Sequence, residues 1–169
     1  FNHQESASRA AAWQALLVTG GGGLVLLAGL VIISFITGSF EISTWMTMAS
    51  QIQSHPLSTT AFILLLVGVM TKSAQFPFHF WLPNAMKAPT PVSAYLHSAT
   101  MVKAGVFLLL RFFPIMGGLE AWNKLLVPVG LITLLAGSLL SLGQADLKRL
   151  LAYSTVAALG SMVFLIGLG

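Results

Sequence analysis

Long apolar runs separated by short polar stretches make up this chain. Residues 1–9 are polar and read as a loop. No charge occurs from Ala10 to Phe40, and the run 13–36 is long enough for a first span, because about 20 apolar residues cross a bilayer core. Gly20, Gly21, Gly22 and Gly23 fall inside it. In water such a cluster would end a helix. In lipid the backbone must bond to itself, so the helix is expected to continue and a second helix to pack closely there.

Residues 38–56 mix Glu41, Trp45, Gln51, Gln53 and His55 with apolar positions. This pattern predicts a short interfacial helix with Trp45 at headgroup level and His55 in a solvated loop before Pro56. The next apolar run, 57–70, is too short to cross alone. The chain must therefore carry Lys72, Ser73 and Gln75 into the bilayer, or fold back. Pro77 removes a helical hydrogen bond and clashes with the turn behind it, and Pro83 repeats the interruption. A broken span over 57–86 follows, in two halves near 57–75 and 78–86, with Lys72 close to the break. Helices break within membranes where backbone lines a polar cavity. Thr90 and Pro91 suit the cap and first position of a third span, 92–113, which Pro114 should stop. Arg111 lies in its last turn, where a cation suits the helix dipole. A fourth span, 125–142, lies between Lys124 and Asp146. Asp146 caps a fifth, 147–169, whose first turn carries Lys148 and Arg149.

Composition supports lipid as the solvent. Hydrophobic residues are 56% of the chain and charged ones 7%, against roughly 25% charged in soluble domains. Mean hydropathy is +0.89. Eight cations against four acids are too few to suggest nucleic acid. The excess bears on topology instead. Five alternating spans put Arg9, Lys87, Lys148 and Arg149 on one side and Arg111 and Lys124 on the other, which points the first side to the cytoplasm. There is no cysteine, and no metal-ligand spacing or phosphate loop, so no cofactor is expected. Both ends look cut, so a longer polytopic protein is expected. The fold class is all-α, a polytopic transmembrane helix bundle with one broken helix.

The stretch 71–111 holds two of the four histidines and four of the seven prolines. Lys72 is its sharpest feature. A lysine at the bilayer centre costs about 2.5–3.5 kcal/mol on insertion scales. Burial disfavours the charged form of a lysine, and a nearby opposite charge restores it. A lysine balanced between the two can take and give a proton. The alternative, a snorkelling lysine, needs no adjacent helix break. Ser93, His97, Thr100 and Lys103 recur at helical spacing and form a polar stripe on the third span. Histidine titrates near neutral pH and suits a relay between lysines; a plain interhelical hydrogen bond is the bland reading of His97. Lys148 is open between an interfacial anchor and a path residue. Arg149 reads as interfacial. His79 at the break is a secondary polar lining, and Phe76, Phe78, Phe80 and Trp81 read as packing.

The phrases TKSAQFPFHFWLPNAM and APTPVSAYLHSATMVKAG resemble the antiporter-like membrane subunits shared by respiratory complex I and the multi-subunit Mrp-type Na⁺/H⁺ antiporters. FPFHFWLPNAM and HSATMVKAG are most similar to the A-type subunits of the Mrp branch. The large complex I subunit shares KSAQ, WL, AM, PTPVSA and TMV but usually lacks a lysine at the place of Lys103. ADLKRLLAYST, residues 145–155, is also similar to the family.

The resemblance implies two inverted five-helix repeats, each with a broken helix, and a row of buried charges along the midplane. By the motif, Lys72 matches the broken-helix lysine, and His97 and Lys103 match the connecting residues on the next helix. Lys148 matches the lysine that leads into the second repeat. The acidic partner of Lys72 is expected on a helix before Phe1. The implied function is not that of an enzyme but of a transporter component, a proton-translocating subunit of a Na⁺/proton antiporter in the cell (cytoplasmic) membrane. Its expected partners are other subunits, protons, Na⁺ and the lipid bilayer. The alternative is a proton-pumping subunit of NADH:quinone oxidoreductase or of a membrane-bound hydrogenase, against which Lys103 argues.

Overall fold

The computed structural model describes residues 5–89, 93 and 101–169. The described secondary structure is helical. Helix α1, Ser6–Thr37, is the longest. It begins within the stretch that sequence pattern assigns to a polar loop, because Ser6 to Ala12 carry good helix formers. It ends where Gly38 adopts φ 70° and donates its N–H to Ser34 O at 2.8 Å. Two short helices follow, α2, Ile42–Thr47, and α3, Ala49–Ser54, where a single one is predicted. Trp45 is buried, with its indole N–H donated to Ser39 O and its ring near Phe112. It faces inward, not outward to headgroups.

Helix α4, Ser58–Lys72, stops at the charged residue. A 3-10 turn, Phe78–Phe80, leads into the short helix α5, Trp81–Ala85. Sequence pattern predicts a second break at Pro83. Instead Pro83 stands in the first turn of α5, where a missing N–H leaves no helical bond unmade. Helix α6, Lys103–Met116, runs through Pro114 and does not stop there. Ile115 and Met116 are fully buried, and Gln53 of α3 donates to Ile115 O at 2.9 Å, so packing carries the helix past the proline. Helix α7 is Glu120–Leu142, and α8 is Leu147–Leu168. The start of α7 precedes the predicted boundary at Lys124 because Trp122 is fully buried there and donates its indole N–H to Ile166 O at 3.1 Å. Asp146 caps α8 as its sequence predicts, accepting from the Lys148 N–H at 3.0 Å. Thr90, Pro91, His97 and Thr100 lie outside the described residues.

Two helix pairs make the frame. Helix α1 lies on α4, with Gly22 against Thr71, Gly29 against the backbone of Ala61 and Gly68 against Leu26. Helix α7 lies on α8 even more closely. Gly130 and Gly137 face the backbones of Phe164 and Ala157, and Gly160 and Gly167 face those of Leu134 and Val127. Glycine permits this approach because no Cβ intervenes, and close backbone packing is how helices associate in lipid. Phe62, Phe113 and Trp122 join the pairs through ring contacts at 5.2 and 5.8 Å. The outer faces are apolar: Leu17, Leu24, Phe35, Leu139 and Leu165 are all exposed. Among the described residues three helices, α1, α7 and α8, are long and apolar enough to cross a membrane.

Candidate functional site

The site is the interruption between α4 and α5. It is built from the last turn of α4 outward. Ser73 caps the helix and its N–H bonds to Val69 O. Ala74 then adopts φ 47°, and the Gln75 N–H reaches back to Met70 O at 2.9 Å. A left-handed residue followed by this long backward bond is a Schellman-type helix end. Glycine normally fills the left-handed position, which costs other residues about 1–2 kcal/mol. Ala74 is fully buried, and its surroundings hold it there.

Four other elements grip this end. From α1, Gly22 admits the Thr71 side chain, and the slot continues at Gly23, where an added Cβ would sit 3.7 Å from Lys72 Nζ. From α5, the fully buried Trp81 donates its indole N–H to Thr71 O at 2.9 Å. From α7, the buried Thr133 hydroxyl accepts the Phe76 N–H at 3.0 Å and donates to Val129 O at 2.7 Å. From α6, Gly105 lies directly against the Ser73 side chain. The turn is fixed in lipid because its freed backbone groups have found partners.

Lys72 is therefore the last helical residue, half-buried, with its ammonium beside α1. The polar atoms around the break are incompletely bonded. Ser73 Oγ, Gln75 Oε1 and His79 Nδ1 are buried and have no hydrogen-bond partner among the described residues. His79 stacks on Phe76 at 5.6 Å and lies 6.5 Å from the Tyr153 ring of α8. Lys103 is in the first turn of α6, two residues before the Gly105–Ser73 contact, with an exposed side chain. The start of α6 and the end of α4 thus meet at the break. His97 lies outside the described residues. Ser93, at the start of the stripe, is buried and donates to Ala88 O. Lys148 is half-buried in the first turn of α8. Pro77 lies within the break, immediately before the 3-10 turn.

Sequence pattern alone does not single out Ala74, Thr133 or Tyr153. Ala74 carries no turn signal, and the two others sit in apolar runs far along the chain. Helical phase offers a partial signal for Thr133: it shares a face with Gly130 and Gly137, each about one turn away.

Comparison with known proteins bears on this arrangement. The family model described as "NADH:quinone oxidoreductase/Mrp antiporter, TM" matches residues 1–169. A Rhizobium meliloti (strain 1021) protein, named as the probable A/B component of a K(+)/H(+) antiporter, is 55% identical over 167 residues, covering 99% of this chain and 17% of that protein. Among solved structures, one described as "Structure of Mrp complex from Dietzia sp. DQ12-45-1b" superposes with a TM-score of 0.91 at 41% identity. It covers 99% of this chain and 19% of that one. The chain thus spans under a quarter of the length of these relatives. With an all-helical fold, a lysine at a broken helix and a family match running from the first residue to the last, the chain belongs to the NADH:quinone oxidoreductase/Mrp antiporter transmembrane family.

Proposed function

We propose that this chain is part of a proton-conducting subunit of a multi-subunit monovalent cation/proton antiporter in the cell (cytoplasmic) membrane, partnered by other subunits and by lipid. The observation that carries the proposal is the end of α4: Lys72 is its last residue, and buried polar atoms with open hydrogen-bonding capacity follow on Ser73, Gln75 and His79. Leaving such groups unbonded costs about 1–3 kcal/mol each, and ordered water is their usual partner. Water held by Ser73, Gln75 and His79 would give a lysine at this break a route to pass its proton on and be reloaded. Lys103 and His97 continue the path from the start of the third span, and Lys148 leads it towards α8. Gly105, two residues after Lys103, packs on Ser73 beside Lys72 in the chain, which supports reading the two lysines as successive stations.

The sequence resemblance suggests Na⁺ as the exchanged ion. The Rhizobium meliloti relative carries K⁺ in its name, so the proposal is kept at a monovalent cation. The test is Lys72→Ala in the full-length protein, assayed for proton-coupled cation exchange in vesicles. Exchange should fall to background while the assembled protein remains at normal levels. Full exchange by assembled Lys72→Ala protein overturns the proposal.

A further inference from the structure

A second polar feature lies away from the break. A cavity of about 330 Å³ opens between the end of α5 and the turn that joins α7 to α8. That volume falls within the roughly 300–1,000 Å³ of small-molecule sites. Its floor is apolar, from Pro83 and Met86. Two cations line it from different elements, Lys87 after α5 and Arg149 in the first turn of α8, together with Gln144 and Asp146. Lys148 stands in the same turn as Arg149.

The charges are unbalanced. Among the described residues the ion pair present is Lys124–Glu120, at the far end of α7, so Lys87 and Arg149 are in none. Asp146 spends one carboxylate oxygen on the Lys148 N–H. Its remaining charge offsets one of the cations, which leaves the cavity suited to a single negative charge more than to a doubly charged ion. An arginine with a second cation beside it matches a phosphate, because the guanidinium fork bonds two of its oxygens at once.

The setting identifies the source of that phosphate. The turn is where α7 leaves the apolar region and α8 re-enters it. Its flanking leucines are among the most exposed in the chain, Leu142 at 84% and Leu147 at 69%. Acyl chains cover such residues favourably at a membrane edge. The same end of the bundle gathers Arg9, Lys87 and Arg149, and basic pockets at helix ends on the cytoplasmic side attract anionic headgroups. We propose that this cavity binds the phosphodiester of an anionic phospholipid, held between Lys87 and Arg149, with the acyl chains beside the leucines of the α7–α8 turn. The inference needs the chain to lie in a membrane but does not depend on its transporting protons.

The experiment uses the full-length protein, purified in detergent and stripped of lipid. Phosphatidylglycerol, phosphatidylcholine with the same acyl chains, and inorganic phosphate are each titrated in, and bound molecules are counted by native mass spectrometry. The native protein should hold at least one phosphatidylglycerol that phosphatidylcholine does not replace. Lys87→Gln with Arg149→Gln should weaken that site at least about tenfold, as loss of two charge-assisted contacts implies. Lys124→Gln, at the opposite membrane face, should not. An unchanged tight phosphatidylglycerol count in the double variant overturns the proposal. So does equal retention of phosphatidylcholine, and so does displacement of the lipid by millimolar phosphate, which would mark a site for a soluble anion.

Discussion

At the scale of single residues the lysines divide by position. Lys124 is an exposed partner of Glu120 one turn away, and such pairs add little. Lys72 is different because it ends a helix inside the bundle. Lys103 stands between these cases: its side chain is exposed, yet it is two residues from the glycine that packs on Ser73. A relay role and a fixed-charge role can be separated there. Arginine keeps the cation but effectively never releases its proton. If Lys103 relays protons, Lys103→Arg should impair exchange nearly as much as Lys103→Ala. His97→Ala should slow it less, since water can bridge a missing neutral group. Exchange rate against pH, normalised to assembled protein, measures all three. Near-native rates in Lys103→Arg would return that residue to a structural role.

At the scale of elements the question is what keeps the interruption between Lys72 and Phe78 in one shape. Pro77 lies within it, but the partners come from elsewhere: Trp81 on the Thr71 carbonyl and Thr133 on the Phe76 N–H. Thr133→Val keeps the shape of the side chain and removes the acceptor. An N–H left unbonded in this setting costs about 1–3 kcal/mol, so the break should open more often. Hydrogen–deuterium exchange of residues 73–80 should quicken in Thr133→Val and return towards native in Thr133→Ser, which restores the hydroxyl. Unchanged exchange in the valine variant would mean that the bond is incidental. The glycine cluster of α1 also resolves at this scale. Gly22 packs against α4 as lipid packing rules predict, whereas a Cβ added at Gly20 or Gly21 would meet no other element within 4 Å.

At the scale of the whole molecule the charges sort by membrane face. The cavities that join Gln14 and Asn84 to Lys87, and Lys87 to Arg149, gather the start of α1, the end of α5 and the start of α8 at one end of the bundle. Glu120 and Lys124 lie at the other, where α7 starts. Positive charge then favours the first end in the cytoplasm. The chain has no cysteine, so single introduced cysteines report topology cleanly once the remainder of the protein is also freed of them. Ser6→Cys should be labelled by an impermeant thiol reagent from the cytoplasmic side only, and Asn123→Cys from the opposite side only. The reverse pattern would invert the assignment.

What the sequence by itself determined is what depends on one segment at a time. Apolar length places the long helices, the short run before Lys72 ends at an interruption, and Asp146 caps α8 through its own neighbour two residues on. These follow from lipid solvation and local hydrogen bonding, which act within a few residues. Only the tertiary structure decided where two segments meet. Pro114 fails to end α6 because Ile115 and Met116 beyond it are fully buried, with Gln53 from far back in the chain bonded to the Ile115 carbonyl. Ala74 occupies a glycine's conformation because buried neighbours fix it, and Thr133 reaches Phe76 across 57 residues. No local propensity encodes such contacts. They are set by which helix faces which, and that was fixed by glycines whose missing side chains let two backbones touch.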